Sequence, residues 1–280
     1  MTDWLTGCPA PAKLNTFLHV VGRREDGYHL LQSHFRLIDW SDTLDFARRD
    51  DGLIRRTHEL PGVPESADLT LRAARLLQER LGTPYGVDLT LHKVLPAGAG
   101  LGGGSSDAAT TLIALNRLWN GGLSRAQLME LGLQLGADVP FFLFGEDAFV
   151  EGIGERLTPY PGPERWFVVL WPGIHVPTAQ VFASPRLTRN TPIGTIASLA
   201  ATPLRNDLEP VVRALFPEVD AALEWLARHA GMARMSGSGS CVFAEFAEPS
   251  EAERIAAKVP SGWLAHVART LHRHPLHEWL

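Results

Sequence analysis

The segment Pro96-Ala-Gly-Ala-Gly-Leu-Gly-Gly-Gly-Ser-Ser-Asp107 holds the densest set of residues able to do chemistry in the chain. Five glycines fall within the seven residues from Gly98 to Gly104. Glycine reaches positive φ and lets backbone approach a ligand closely. Successive N–H groups in such a turn converge into an anion nest. A helix that follows directly adds free N–H groups and the positive end of its dipole. A phosphate is the expected guest. Ser105 and Ser106 bring hydroxyls that reach phosphate or a magnesium ion. Asp107, read as lying in the first helical turn, is either a cap-and-dipole residue or a metal partner. A flexible linker is the competing reading, and the strand before and helix after the loop argue against it. Gly98, Gly100 and Gly103 match G-x-G-x-x-G, but Pro96 interrupts the strand exit and no acid lies about twenty residues on. The chain lacks G-x-x-x-x-G-K-[ST], which excludes a P-loop NTPase.

Three other segments carry candidate residues. Gly136-Ala-Asp-Val-Pro-Phe-Phe142 sets one acid, Asp138, just past a helix and before an apolar run. Asp138 either caps a turn or accepts a proton from a substrate hydroxyl; unpaired against such neighbours its charge would be costly. Ala10-Pro-Ala-Lys-Leu-Asn15 puts Lys13 inside a largely apolar strand, although a lone lysine is more often a surface residue. Met235-Ser-Gly-Ser-Gly-Ser-Cys241 is a second small-residue turn, between a helix and a strand. The histidines of Leu271-His-Arg-His-Pro-Leu-His277 have no suitably spaced carboxylate or cysteine, so a solvated surface segment is expected there rather than a metal site.

These residues need elements to hold them. Alternation predicts strands over Lys13–Val21 and His29–Ile38, joined by the polar turn Arg23–Gly27 as a hairpin. Helical spacing runs from Asp68 to Leu81, with Gly82 as its stop. A strand over Val87–Val94 leads into the glycine loop, and a helix from about Ser106 to Leu118 leaves it. Ser124 and Gln127 form a capping-box pattern ahead of a helix ending near Gly136. The Gly- and Pro-rich stretch Gly152–Pro163 suggests a boundary near Pro159, giving units 1–158 and 159–280. Beyond it, strands are expected at Arg165–Trp171, Cys241–Phe246 and Trp263–Ala268. Helices are expected at Asp207–Leu215, Pro217–His229 and Pro249–Lys258. Strands and helices mix without regular alternation, which favours α+β layers over a doubly wound sheet.

With 280 residues, 45% of them hydrophobic and 20% charged, the chain has the balance of a packed soluble protein. A net charge of −5 argues against a dedicated nucleic-acid or anionic-membrane binder. Two distant cysteines, Cys8 and Cys241, fit a reducing compartment without a disulfide framework. The start, Met-Thr-Asp-Trp-Leu-Thr-Gly, is not read as a secretory signal, and no apolar run reaches membrane-spanning length. A cytoplasmic protein, monomer or weak homodimer, acting on a small molecule is expected.

Taken in order, Pro-Ala-Lys-Leu-Asn, Gly-Leu-Gly-Gly-Gly-Ser-Ser-Asp, Gly-Ala-Asp-Val-Pro-Phe-Phe and Ser-Gly-Ser-Gly-Ser resemble the GHMP kinases. The likeness spans about Cys8 to Phe246. Within the family, Val21-Gly-Arg-Arg-Glu-Asp-Gly-Tyr-His-Leu-Leu31 and Arg189-Asn-Thr-Pro192 ahead of Asn206-Asp207-Leu208 resemble the branch whose acceptor is a cytidine-diphosphate-linked methylerythritol. The resemblance implies a two-domain α+β fold: an N-terminal domain like ribosomal protein S5 domain 2, a ferredoxin-like C-terminal domain, and a last strand or tail that returns to the N-terminal domain. It implies transfer of a phosphoryl group from ATP, with Mg2+, to the 2-hydroxyl of the acceptor. Asp138 would be the base and Lys13 its neighbour. Pro96, Gly98, Gly100, Leu101, Gly102, Gly103, Gly104, Ser105 and Ser106 would hold ATP, with Lys93 at the edge of the base or ribose pocket. Asn15 would bind the polyol. Tyr28 would stack on the cytosine and His29 would hydrogen-bond it, with Phe182 as the opposite wall and Thr178 near phosphates or cytidine. The alternatives are a homoserine- or mevalonate-type kinase, a non-catalytic nucleotide-binding regulator of the same fold and, more distantly, an NAD-binding oxidoreductase. Tyr28 and His29 suit a planar base better than a small polyol, and a regulator would not need both Lys13 and Asp138. Phosphoryl transfer asks for positioning and charge neutralisation, and magnesium takes few protein ligands, so an acidic cluster is not required.

Overall fold

The alternating apolar residues near the start form a long hairpin. β1 (Trp4–Arg23) and β2 (His29–Arg49) run antiparallel along almost their whole lengths. The computed structural model describes residues 3–199 and 204–280. The other edge of β2 is divided among three partners. Leu31–Phe35 pairs with β5 (Ala148–Gly152), Leu37–Ile38 with β10 (Leu264–Leu271), and Thr43–Arg49 with β4 (Gly86–His92). Where the edge passes from β5 to β10, a buried ion pair replaces the ladder. Asp147 accepts the Leu37 N–H at 2.9 Å and the Arg36 Nε–H at 3.1 Å, and Arg36 also donates to Thr270 Oγ1 at 3.0 Å. Backbone and charge are thereby satisfied at a junction that no strand covers.

β3 (Ile54–Arg56) adds to β4 in parallel, and β6 (Arg156–Pro159) adds to β5. Beyond β10 the sheet continues through β7 (Trp166–Trp171), β9 (Val242–Phe246) and β8 (Arg234–Met235), so ten strands form one sheet among the described residues.

Helices cover the sheet in two groups. α1 (Leu69–Leu81) begins at Asp68, whose carboxylate accepts the Thr70 N–H, and ends at Gly82 in the left-handed region, as the spacing predicts. α2 (Gly103–Leu118) is buried on nearly every side, so it is the central helix of its layer. α3 (Arg125–Leu135) starts with the expected capping box, and α4 (Val139–Phe144) is a short buried turn of helix. These four pack with β1, β2 and β4 into one core that includes Phe46, Leu77, Leu112, Phe141 and Phe142. α5 (Thr178–Ala183), α6 (Ile196–Leu199), α7 (Glu209–Leu215), α8 (Pro217–Ala230) and α9 (Pro249–Ala256) follow later in the chain. A second core joins Leu18 and Val20 of β1 to Val168, Val212, Leu223 and Val242. A third, between the two, combines Leu14, Ile38, Leu95, Ala99 and Leu101 with Phe167, Val169, Cys241 and Phe243. No helix among the described residues is long and apolar enough to cross a membrane.

The end of the chain differs from the expected solvated segment. Leu276, Trp279 and Leu280 pack on the first core, and His274 is only 1% exposed. The reason is steric and apolar: Gly145, at the end of α4, leaves room for the His277 ring, the His274 Cβ and the Leu280 side chain. Burial pushes the His274 pKa down to about 3, and burial with Arg36 nearby pushes that of His34 down to about 4. In the unfolded chain an imidazole titrates near 6.5 (roughly). Both folded values lie lower, so the unfolded chain takes up protons first. Stability from these groups is complete above about pH 6.5 and is lost as pH falls towards 4 and then 3. Each group contributes about 1.4 kcal/mol per pH unit inside its window. Urea unfolding followed from pH 7 to pH 4 should fall steeply, and His274→Asn should flatten the decline; an equal slope in the variant would refute this assignment.

Candidate active site

The glycine loop is built from its two ends inward. At its entry, the fully buried Asp42 of β2 accepts the N–H groups of Val94 and Leu95 at 2.6 and 2.8 Å. The ammonium of Lys93 reaches Asp42 at 2.5 Å and Asp107 of α2 at 2.7 Å, tying β2, loop and helix together. Burial works against the Lys93 charge, but Asp107 and Asp42 outweigh it and hold its pKa above the usual lysine range. Burial pushes the Asp107 carboxyl up, with Lys93 opposing and Asp42 reinforcing the shift.

α2 starts at Gly103, three residues before the expected Ser106. Gly102 in the left-handed region turns the chain directly into the helix, so Gly103 and Gly104 belong to its first turn. Asp107 therefore lies in the second turn and is not a cap; its partner is Lys93. The free N–H groups at the head of α2 fall at Gly103–Ser105.

Between these ends, Gly98, Gly100 and Gly102 have φ of +61°, +78° and +71°. Alternate residues Leu95, Ala99 and Leu101 point down into the third core. The loop carbonyls are taken by both halves of the molecule. Lys13 N–H donates to Leu101 O at 2.9 Å, Cys241 N–H to Ala99 O at 3.0 Å and Ser236 Oγ to Gly100 O at 2.9 Å. Ser236 also accepts the Asn15 N–H at 3.2 Å. The second small-residue turn is thus the clamp on the first.

Lys13 and Asp138 are adjacent. Lys13 Nζ stands 3.5 Å from Asp138 Oδ2, with the lysine side chain 4% exposed and the aspartate 33%. Lys13 donates to Asn15 Oδ1 at 2.5 Å and lies 4.6 Å from the centroid of the Phe35 ring. Asn15 donates in turn to Ser33 Oγ at 3.0 Å, and Ser33 to the Phe17 carbonyl. The ammonium is therefore aimed by a chain of buried hydrogen bonds within the β1–β2 hairpin. Asp138 occupies the residue before α4, yet its carboxylate makes no capping bond to that helix. The capping role that its position suggested is absent, and its carboxylate stays open to the cleft.

Two cavities share the loop. One, of about 250 Å³, is lined by Lys13, Asn15, Asp138, Gly98, Gly100, Gly102, Thr178 and Phe182, with Leu18, Leu31, Phe35 and Leu208 as an apolar wall. The other, of about 340 Å³, is lined by Pro96, Gly98–Gly104, Ser105 and Lys93, with Leu60, Val63, Leu69 and Leu91 opposite. Ser106 is buried inside α2, and its hydroxyl has no hydrogen-bond partner among the described residues. His29 stacks on Phe182 at 4.9 Å between centroids and accepts from Arg189 Nε at 3.1 Å. Burial and the nearby Arg189 and Arg23 lower the His29 pKa, which keeps the ring neutral. Tyr28 is 60% exposed at the hairpin tip, outside both cavities. Thr178 Oγ1 lies 2.7 Å from Ser238 Oγ.

Sequence reasoning did not find Asp42, Ser33 or the apolar wall of Leu60, Val63 and Leu69. Asp42 and Ser33 lie in a strand with no local mark, and the wall joins Leu60 and Val63, from a turn that pattern analysis passes over, to the first residue of α1. Ser236 sits in a turn that the sequence did single out.

Residues 68–146 match the family model described as GHMP kinases N terminal domain, and residues 187–264 match GHMP kinases C terminal. A 4-diphosphocytidyl-2-C-methyl-D-erythritol kinase of Azoarcus sp. (strain BH72) is 60% identical over 98% of this chain and 96% of its own. One from Cupriavidus metallidurans is 57% identical over 97% and 95%. A crystal structure of 4-(cytidine 5'-diphospho)-2C-methyl-D-erythritol kinase superposes with a TM-score of 0.80 at 37% identity, covering 94% of this chain and 98% of that one. A glycine loop clamped from both halves, a lysine–aspartate pair at its side and matches of this extent lead to one conclusion: the chain belongs to the GHMP kinase family, with its two-domain fold of mixed helices and strands.

Proposed function

We propose that this protein transfers the terminal phosphoryl group of ATP to the 2-hydroxyl of 4-diphosphocytidyl-2-C-methyl-D-erythritol, a step in isoprenoid precursor synthesis by the non-mevalonate route. The observation that carries the proposal is the 3.5 Å approach of Lys13 to Asp138 on the wall of a cavity that also contains Gly98, Gly100 and Gly102. ATP lies along the larger cavity, its phosphates on the loop and the head of α2 and its base against Leu60, Val63 and Leu69. Lys93 stands at that cavity's edge. The acceptor enters the smaller cavity. Asp138 takes the proton of the attacking hydroxyl as it adds to the terminal phosphorus, and the bond to the ADP oxygen breaks. Lys13 stabilises negative charge on the attacking oxygen. Asn15 orients the polyol as well as the lysine, and Thr178 faces the acceptor's phosphates.

A magnesium ion bound with the triphosphate would neutralise phosphate charge. The hydroxyls of Ser105 and Ser106 would hold it; that of Ser106 has no hydrogen-bond partner among the described residues, which leaves its oxygen available as a ligand. The cytosine rests against Tyr28, His29 and Phe182. A neutral His29 that accepts from Arg189 has its remaining ring N–H free to donate to a cytosine acceptor. The boundary near Pro159, dividing residues 1–158 from 159–280, belongs to the same reading, as do a cytoplasmic location and a monomeric or weakly dimeric state.

The test is ADP release with ATP and magnesium when this acceptor, homoserine, mevalonate and galactose are offered separately. Turnover only with the cytidine-diphosphate acceptor is expected; turnover with another and none with it would reject the reading. Tyr28→Ala is expected to raise the KM for this acceptor about tenfold, the loss of one stacking contact, with little change in the KM for ATP. An equal rise in both would remove Tyr28 from cytosine recognition.

A further inference from the structure

His175 belongs to the turn between β7 and α5 and enters none of the motifs above. Its backbone is pinned on both sides. The Ile174 carbonyl accepts from Trp171 Nε1 at 3.0 Å and from Ser240 Oγ at 2.5 Å, and Val176 is 1% exposed in the second core. Its side chain, by contrast, is solvent-accessible and leans on the glycine loop: a Cβ built at Gly98 would stand 1.9 Å from His175 Nδ1 and 2.2 Å from its Cε1. Gly98 is also one of three loop residues that line both cavities. A rigid turn from the C-terminal half thus holds an imidazole against the loop where the two substrates meet.

From this geometry we infer that His175 is a phosphate-binding residue of the active site, donating an N–H to a phosphate oxygen lodged at Gly98. The inference rests on the kinase reading above. An imidazole carries at least one N–H donor in either protonation state. A turn fixed at both flanks positions that donor with little entropy to lose on binding. The close contact also gives Gly98 a second reason to lack a side chain, besides its φ of +61°. The oxygen comes from one of two sources with the same chemistry, the terminal phosphate of ATP or the acceptor's own diphosphate, because Gly98 faces both cavities.

Calorimetric titration of wild-type protein, His175→Ala and His175→Gln with a non-hydrolysable imido analogue of ATP and, separately, with CDP tests the inference. A roughly tenfold loss of affinity in His175→Ala for one probe is expected, from removing one hydrogen bond to a charged group. Recovery by His175→Gln, whose amide still donates, is part of the expectation. Loss for the ATP analogue assigns the contact to the nucleotide, and loss for CDP assigns it to the acceptor. Unchanged affinity for both probes overturns the inference, as does a loss that His175→Gln does not recover, which would mean packing alone. Failure of the kinase reading is distinguishable, since the wild-type protein would then release no ADP with ATP, magnesium and the cytidine-diphosphate acceptor, whatever the variants bind.

Discussion

Asp138→Asn is expected to lower turnover by roughly 10²- to 10⁴-fold, the range for removal of a general base, while affinity for a non-hydrolysable ATP analogue stays within about twofold. The amide keeps the size of the carboxylate but cannot take the hydroxyl proton. Little structural cost accompanies the change, because the carboxylate makes no capping bond to α4 and is one-third exposed. The buried ammonium of Lys13 loses its opposite charge, yet Asn15 still accepts from it. Steady-state turnover together with calorimetry decides the matter. Undiminished turnover would remove Asp138 as base, and lost analogue binding would make it a structural residue instead.

The second large effect belongs to Gly100→Ala. An added Cβ would lie 2.1 Å from the carbonyl oxygen of Ser236 and 3.1 Å from that of Gly239, both backbone atoms with nowhere to retreat. The residue also sits at φ +78°. The loop must leave the turn that clamps it, breaking the bond from Ser236 to the Gly100 carbonyl. A stability loss of about 1–3 kcal/mol is expected from overpacking and strain. Analogue affinity should fall at least tenfold, because the N–H groups of the nest no longer converge. Gly104→Ala is the control: its Cβ would meet only Leu69 Cδ1 at 3.7 Å, and in the first turn of α2 alanine is the better helix former. If Gly100→Ala and Gly104→Ala unfold at the same urea concentration, the loop is not clamped in the way described.

Elements with a strong local period were legible in the sequence. The β1–β2 hairpin, α1 between Asp68 and Gly82, and the capping box of α3 emerge where spacing and cap residues place them. β5 and β6 were not foreseen, since Ala148–Gly152 and Arg156–Pro159 are short and take their pairing from β2 rather than from their own pattern. The start of α2 was misplaced because a glycine pair reads as loop, whereas the left-handed turn at Gly102 and packing on every side impose helix there. Of the site, residue types were visible and distances were not. Lys13 and Asp138 lie far apart in sequence, and only the fold brings β1 beside α4. Asp42 and Ser33 act solely through such tertiary contacts, so no local pattern reveals them.

The division of one edge of β2 among β5, β10 and β4 has a consequence for how this molecule tolerates cutting. The last strand hydrogen-bonds to β7 along most of its length and to β2 at Thr270 and Leu271, after which Leu276, Trp279 and Leu280 seal the opposite core. Severing the chain between the two family-model segments would leave the first fragment with bare apolar surface and an unpaired stretch of backbone. Each half borrows its closing pieces from the other, so neither is expected to fold once parted from its neighbour.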